Sequence, residues 1–235
     1  MLLRWRSMRS HSESMVRGVL FDFGYTLFSH APLAETIGDC AQRLGAAMSH
    51  GQAQALAVRI DAAAMTPEEL VHPRDLDATV WAQRWKELYG IADEVADDLG
   101  EAVYGSMHDP VEWVPYRETA HTLRTLSQRG ISVGIISNTG WNVRDAFAAH
   151  SLSNVVTSFT LSYECGLVKP DRQIFVEACS RLELVSGDVL MVGDDPQSDG
   201  GAVSAGIRTL LLPPALPPGA DNGVGAVLAL VGIGE

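Results

Sequence analysis

Four apolar runs in this chain each lead into residues that can do chemistry. Val19-Leu20-Phe21 ends on Asp22. Ile131 to Ile136 ends on Ser137-Asn138-Thr139, and Val189 to Val192 on Gly193-Asp194-Asp195-Pro196, with Asp199 close behind. A run near 155–161 leads to Gly166-Leu167-Val168-Lys169-Pro170-Asp171. A carboxylate, a hydroxyl beside an amide, an ammonium and an acidic cluster suit phosphoryl transfer to a carboxylate nucleophile, with a divalent cation screening the charges. Singly, each has a structural explanation. Ser-Asn is a helix cap for 142–150, Gly-Asp-Asp-Pro an ordinary turn, and Lys-Pro a solvated turn. Four at successive strand ends argue for a site.

The elements that must position these groups follow from periodicity. Strands are expected at 17–22, 131–136, 155–161, 189–192 and 209–212, and helices at 116–129, 142–150, 171–182, 198–205 and 223–231. Such alternation implies a parallel sheet with helices on both faces. Ligands of such sheets bind outside the carboxyl ends of the strands. From 31 to 109 the chain is alanine-rich and reads as helical throughout. Thr66-Pro67-Glu68-Glu69 is a helix start with a capping threonine. Leu76, Val80, Trp81, Trp85 and Leu88 recur at helical spacing before Gly90, and the two tryptophans read as core packing. The expected fold is α/β. A doubly wound, Rossmann-like parallel sheet forms a discontinuous core (15–30 and 110–235), with an inserted all-helical cap domain at 31–109 and a flexible extension at 1–14.

Composition narrows the function. The net charge of −12 speaks against a nucleic-acid surface. No apolar run is long enough to span a bilayer, so no membrane partner is expected. Three separated cysteines, in no Cys-x-x-Cys pattern, point to a reducing, cytoplasmic setting. Only Lys86 and Lys169 are lysines, against fifteen arginines, so Lys169 stands where a compact ammonium is needed. No Gly-x-Gly-x-x-Gly follows the first strand, which removes dinucleotide binding. The chain is expected to work as a monomer or homodimer.

In these motifs the chain resembles the haloacid dehalogenase-like hydrolase superfamily, over about 16–30 and 112–212. The resemblance implies a Mg²⁺-dependent phosphatase of a small, anionic phosphorylated substrate. It gives Asp22 the role of nucleophile, forming an aspartyl phosphate. Ser137, Thr26 and Asn138 would hold the phosphoryl group, and Lys169 would neutralise its charge. Asp22, the Gly24 backbone carbonyl and Asp194 would ligate Mg²⁺. Asp199 would orient Lys169 or a metal-bound water. Asp195 is an additional acid, either a ligand or a support for one.

Position 24 departs from the family pattern. Phosphatases of this kind carry a second Asp there as general acid and base, worth on the order of 10²–10⁴ in rate. Gly24 keeps the carbonyl and lacks the acid. Tyr25, Asp195 and His72 are candidate substitutes, and a tight-turn requirement for glycine is the structural explanation. Two other readings stay open: a 2-haloacid dehalogenase, whose halide needs no proton on leaving, and a catalytically weak or inactive binding protein of the same fold. Arg59, Arg74, His72 and Lys86 lie in the helical stretch, with no spacing that says which points inward.

Overall fold

The computed structural model describes residues 16–70, 74–213 and 216–233. The expectations for 1–14 and His72 fall outside these residues. In chain order the strands are β1 (Gly18–Phe21), β2 (Phe28–Ser29), β3 (Val114–Pro115), β4 (Ser132–Ser137), β5 (Ser158–Leu161), β6 (Val189–Gly193) and β7 (Arg208–Leu211). Between β2 and β3 lie α1 (Leu33–Arg43), α2 (His50–Ala64), α3 (Pro67–Leu70), α4 (Ala78–Tyr89) and α5 (Leu99–Met107). After β3 come α6 (Thr119–Gln128), α7 (Arg144–Ala149), α8 (Ser162–Cys165), α9 (Arg172–Arg181) and α10 (Ala226–Leu230). The segment expected to be helical at 198–205 is a 3₁₀ turn, Asp199–Ala205.

The fold is α/β, with a parallel five-stranded sheet ordered β5-β4-β1-β6-β7. Its central strands are apolar on both sides because both sides are covered. Val19, Phe21, Val133, Ile135, Leu190 and Val192 pack on one face, beside Leu123 and Phe147 of α6 and α7. Leu20, Ile136, Val189 and Met191 pack on the other, against Ile174 and Phe175 of α9. β1 sits between β4 and β6, so Asp22 emerges centrally. The order reverses there, where open α/β sheets place their ligands.

The helical insertion has its own apolar cluster, which includes Ile37, Leu56, Ile60, Leu99 and Val103. Its helices start where caps satisfy the first free amides. Ser49 and Gln52 form a capping box for α2. Asp77 accepts from the Thr79 and Val80 N–H groups at 2.8 and 2.9 Å and begins α4. Thr66 accepts from Glu69 N–H at 3.3 Å, as its sequence suggests. Leu76 lies before α4, in a short 3₁₀ turn.

Two features of the stem were not legible in the sequence. β2 and β3 pair antiparallel through two residues each, where the insertion leaves and rejoins the core. This pairing delays α6 until Thr119, because Tyr116 N–H donates to Leu27 O at 3.0 Å. The proline-rich loop braces the stem. Leu216 O accepts from Ser29 Oγ at 2.9 Å and from Tyr116 Oη at 3.1 Å.

Candidate active site

The carboxyl ends of β1, β4 and β6 bring the strand-tip groups together. Lys169 Nζ donates to Asp22 Oδ1 and Asp199 Oδ1, both at 2.6 Å. Lys169 is 5% exposed, Asp22 9% and Asp199 fully buried. Oxygens of Asp22, Asp194 and Asp199 all lie within 4.8 Å of one another. One ammonium thus faces three carboxylates in a buried place. Burial pushes the Asp22 carboxyl up to about 7, against the pull of Lys169 and with the help of Asp199 and Asp194. Burial likewise raises Asp194. Burial alone would lower Lys169, but its two carboxylate partners hold it above its ordinary value. A charge deficit of this kind fits a bound cation.

The hydrogen bonds divide these acids by what remains free. Asp199 Oδ2 accepts from the N–H groups of Asp194 and Asp195 at 3.0 and 3.1 Å, while its other oxygen holds Lys169. Proximity places it in the acidic trio, but both its oxygens are used in positioning. Asp195 accepts from Gln197 N–H and Ser198 Oγ, both at 2.8 Å, and so closes its own turn. Burial acts to raise Asp195, yet these bonds keep it below its ordinary range.

The side chains of Thr26 and Asn138, both expected at the phosphate, are bound within the protein, although Asn138 also lines the cavity. Thr26 Oγ1 donates to Asp194 Oδ1 at 2.9 Å, and the residue is fully buried outside the cavity. Asn138 clamps the Lys169 backbone, donating from Nδ2 to the carbonyl at 2.9 Å and accepting the N–H at 2.8 Å. It caps no helix, since α7 begins after Val143 without a side-chain cap. Ser137 is buried at the end of β4 and lines the cavity.

Gly24 is not required by its backbone. Its φ lies outside the left-handed region, and an added Cβ would meet Trp113 at 3.5 Å, an ordinary contact. The left-handed residue is Tyr25, with φ of 58°. A bulky side chain there is uncommon and carries strain. Tyr25 lines the cavity, and burial raises its phenol.

The strand tips open into a cavity of about 410 Å³. Asp22, Ser137, Asn138, Lys169, Asp194 and Asp195 line its polar floor. Its other wall is aromatic, and four of the chain's five tryptophans are in it. From the insertion, Tyr89, Trp85 and Trp81 follow one another at centroid separations of 5.3 and 5.6 Å. Trp81 is 6.2 Å from His108, which reaches Trp141 of the core at 6.0 Å. Trp141 lies 6.3 Å from Trp113, and Trp113 lies 6.0 Å from Tyr25. Trp81 and Trp85 are therefore cavity wall, and Trp85 also packs on the insertion's apolar cluster, as its spacing suggests. Helical period marks a buried face without saying whether a cavity lies against it.

His108 locks this wall. Trp81 Nε1–H donates to His108 Nε2 at 2.9 Å, so the ring proton is on Nδ1, 2.8 Å from the Tyr104 carbonyl. Burial lowers the His108 pKa, which keeps it neutral. Gly140 makes room for Trp81, because a Cβ at 140 would lie 2.1 Å from Trp81 Cβ. Gly140→Ala should displace Trp81 and cost about 1–3 kcal/mol through overpacking. Urea denaturation with tryptophan fluorescence checks this, and an unchanged midpoint and spectrum would contradict it.

Arg59, Lys86 and Arg74 of the insertion are each held in an ion pair and do not line the cavity. Arg59 pairs with Glu94 and Lys86 with Glu101, both at the surface. Arg74 pairs with Glu69 and stacks over Trp85 at 4.9 Å. Among the described residues lining the cavity, Lys169 is the only lysine or arginine.

A two-faced parallel sheet with acids and one buried lysine at its central tips defines a class of α/β hydrolytic enzymes. A sequence profile described as haloacid dehalogenase-like hydrolase matches residues 16–206, and the chain belongs to that family. It is 27% identical over 215 residues to the ribulose-1,5-bisphosphate 5-phosphatase of Halopiger xanaduensis, covering 86% of each chain. It is 25% identical over 195 residues to the (S)-2-haloacid dehalogenase 1 of Pseudomonas sp., covering 82% of this chain and 79% of that one. The crystal structure of a HAD phosphatase from Thermococcus onnurineus superposes with a TM-score of 0.62 at 20% identity, over 92% of this chain and 98% of that one. Among the described residues no helix is long and apolar enough to cross a membrane.

Proposed function

We propose that this hydrolase is a Mg²⁺-dependent phosphatase of a small phosphorylated metabolite, working through an aspartyl phosphate on Asp22. The observation that carries this reading is the one buried ammonium facing three converging carboxylates. A carbon–halogen hydrolase has no use for such a deficit, whereas a phosphatase fills it with a cation. The phosphatase relative supports the same reading. The helical insertion, 31–109, acts as the cap, because it supplies one wall of the cavity above the strand tips. Closing that wall excludes water and sets specificity.

Asp22 attacks phosphorus with the carboxylate oxygen that Lys169 does not hold. Lys169 neutralises charge gathering on the phosphoryl oxygens, and Ser137 donates to one of them. Asp199 and Asn138 keep Lys169 in place through its ammonium and its backbone. Mg²⁺, when bound, supplies electrostatic stabilisation of the transferring group. Asp22, Asp194 and the Gly24 carbonyl would hold it, with Thr26 orienting Asp194. No acid stands at position 24. Tyr25 lines the cavity with its phenol raised by burial, which makes it a weaker acid than an ordinary phenol and a poor stand-in for the missing carboxyl.

Phosphate release from acetyl phosphate, p-nitrophenyl phosphate and sugar phosphates, with and without Mg²⁺, tests the reading. Magnesium-dependent release is expected. The missing acid at position 24 favours halide hydrolysis as the second reading, and activity on 2-haloacids without magnesium would replace the first. Binding of metal and phosphate with no turnover would leave a binding protein.

Gly24→Asp should raise kcat for sugar phosphates by up to about 10²-fold and leave acetyl phosphate nearly unchanged, since only the poorer leaving group needs the proton. A Cβ at position 24 would make only an ordinary contact with Trp113, at 3.5 Å, and the residue lines the cavity. Equal effects on both substrates would contradict the proton-transfer argument.

A further inference from the structure

We infer that the cavity is built for phosphate esters of flat aromatic hydroxyl compounds, so that the leaving group is an aryloxide. This rests on the phosphatase reading and deepens it. Three observations meet here.

The first is the wall. Rings follow one another from Tyr89 to Tyr25 with no centroid step longer than 6.3 Å. Offset or edge-on contact with a planar guest is what such a surface offers.

The second is that part of the wall's polar capacity is already spent. The Trp81 indole N–H is spent on His108, and that of Trp113 on the Met107 carbonyl at 3.0 Å. Both His108 nitrogens are engaged. The Trp85 N–H is buried and has no partner. The hydroxyls of Tyr25 and Tyr89 and the N–H groups of Trp85 and Trp141 remain, fewer partners than the many hydroxyls of a sugar lose in water. Among the described residues a second phosphate or a carboxylate would meet no lysine or arginine beyond Lys169, which already serves the floor. The bisphosphate named for the phosphatase relative therefore does not suit this wall.

The third is Gly24. A phenol has a pKa of about 10, against about 15.7 for water. Its oxygen can leave without the proton that an alkoxide demands. Bond making and breaking then balance simply. The Asp22 oxygen–phosphorus bond forms as the phosphorus–aryl oxygen bond breaks, and the electron pair leaves on the aryl oxygen. Water then hydrolyses the aspartyl phosphate, giving inorganic phosphate and the free carboxylate. The size agrees as well, because a cavity of about 150 Å³ already holds benzene. The 410 Å³ here leaves room for a phosphoryl group and one or two fused rings.

The test compares leaving groups of similar acidity and different shape. Phenyl and 1-naphthyl phosphate are set against hexafluoroisopropyl phosphate, whose alcohol is about as acidic as phenol. Acetyl phosphate and phosphocholine complete the panel, all with Mg²⁺. The aryl esters should show kcat/KM about ten- to a hundredfold above the fluoroalkyl ester, the worth of burying one ring. Trp81→Leu should reduce that ratio by about tenfold. Equal kcat/KM for aryl and fluoroalkyl esters would overturn the inference and leave the phosphatase reading intact. Preference for phosphocholine would overturn it too, making the rings a cage for a quaternary ammonium. No phosphate from any ester, acetyl phosphate included, would end both.

Discussion

Asp22→Asn should abolish phosphate release, with a loss on the order of 10⁴-fold or more, the scale seen when a covalent nucleophile is removed. The amide matches the carboxylate in shape and cannot displace a leaving group. The fold should survive, because Lys169 keeps Asp199 as its partner. Stability adds a second readout. The native Asp22 carboxyl is raised to about 7 from an ordinary 3.8. The folded state therefore binds this proton more tightly than the unfolded chain does. That contribution is fully present below about pH 4 and is lost as pH rises through 7. In EDTA, Asp22→Asn should thus gain on the native protein as pH increases from 5 to 8, followed by urea melts. Retained turnover would mean that Asp22 is not the nucleophile, and parallel pH curves would mean that its burial carries no such penalty.

Lys169→Met should be the most damaging change to the folded protein in this site. It leaves Asp22 and Asp199 facing each other with no cation, and breaking a buried pair in this way costs about 3–5 kcal/mol. The loss should be greatest at alkaline pH and smaller near pH 5, where Asp22 can take up a proton. Catalysis should fall by on the order of 10²–10³ in kcat, the price of one preorganised charge donor. Lys169→Arg should not rescue it. The guanidinium fork is wider than an ammonium bridging two oxygens at 2.6 Å in a place only 5% exposed. Circular dichroism and phosphate release on both variants check this, and an active, stable arginine variant would contradict it.

The polar floor of the cavity was legible because it is written along the chain. Asp22, Ser137 and Asp194 each stand at or just beyond the end of a continuous apolar run, and a strand buried on both faces has little choice but to be such a run. Lys169 stood out through the rarity of lysine. The roles of its supports were not legible. Thr26 and Asn138 have the right chemistry to hold phosphate, yet their side chains face Asp194 and the Lys169 backbone. Side-chain direction at a strand end depends on how the next loop folds back. The meaning of Gly24 was half legible: the missing acid was plain, but only its φ and its distance to Trp113 excluded a backbone cause.

By itself, then, the sequence determined the sheet, its helices, the strand-tip groups and the gap at position 24, because strand and helix periods and residue chemistry are local properties. The tertiary structure alone decided the aromatic wall of the cavity. Its rings come from α4, from residues 108 and 113 beside the stem, and from position 141 of the core, segments with no shared period. They meet only because the β2–β3 stem sets the insertion over the sheet, and because Gly140 has no side chain where Trp81 must lie.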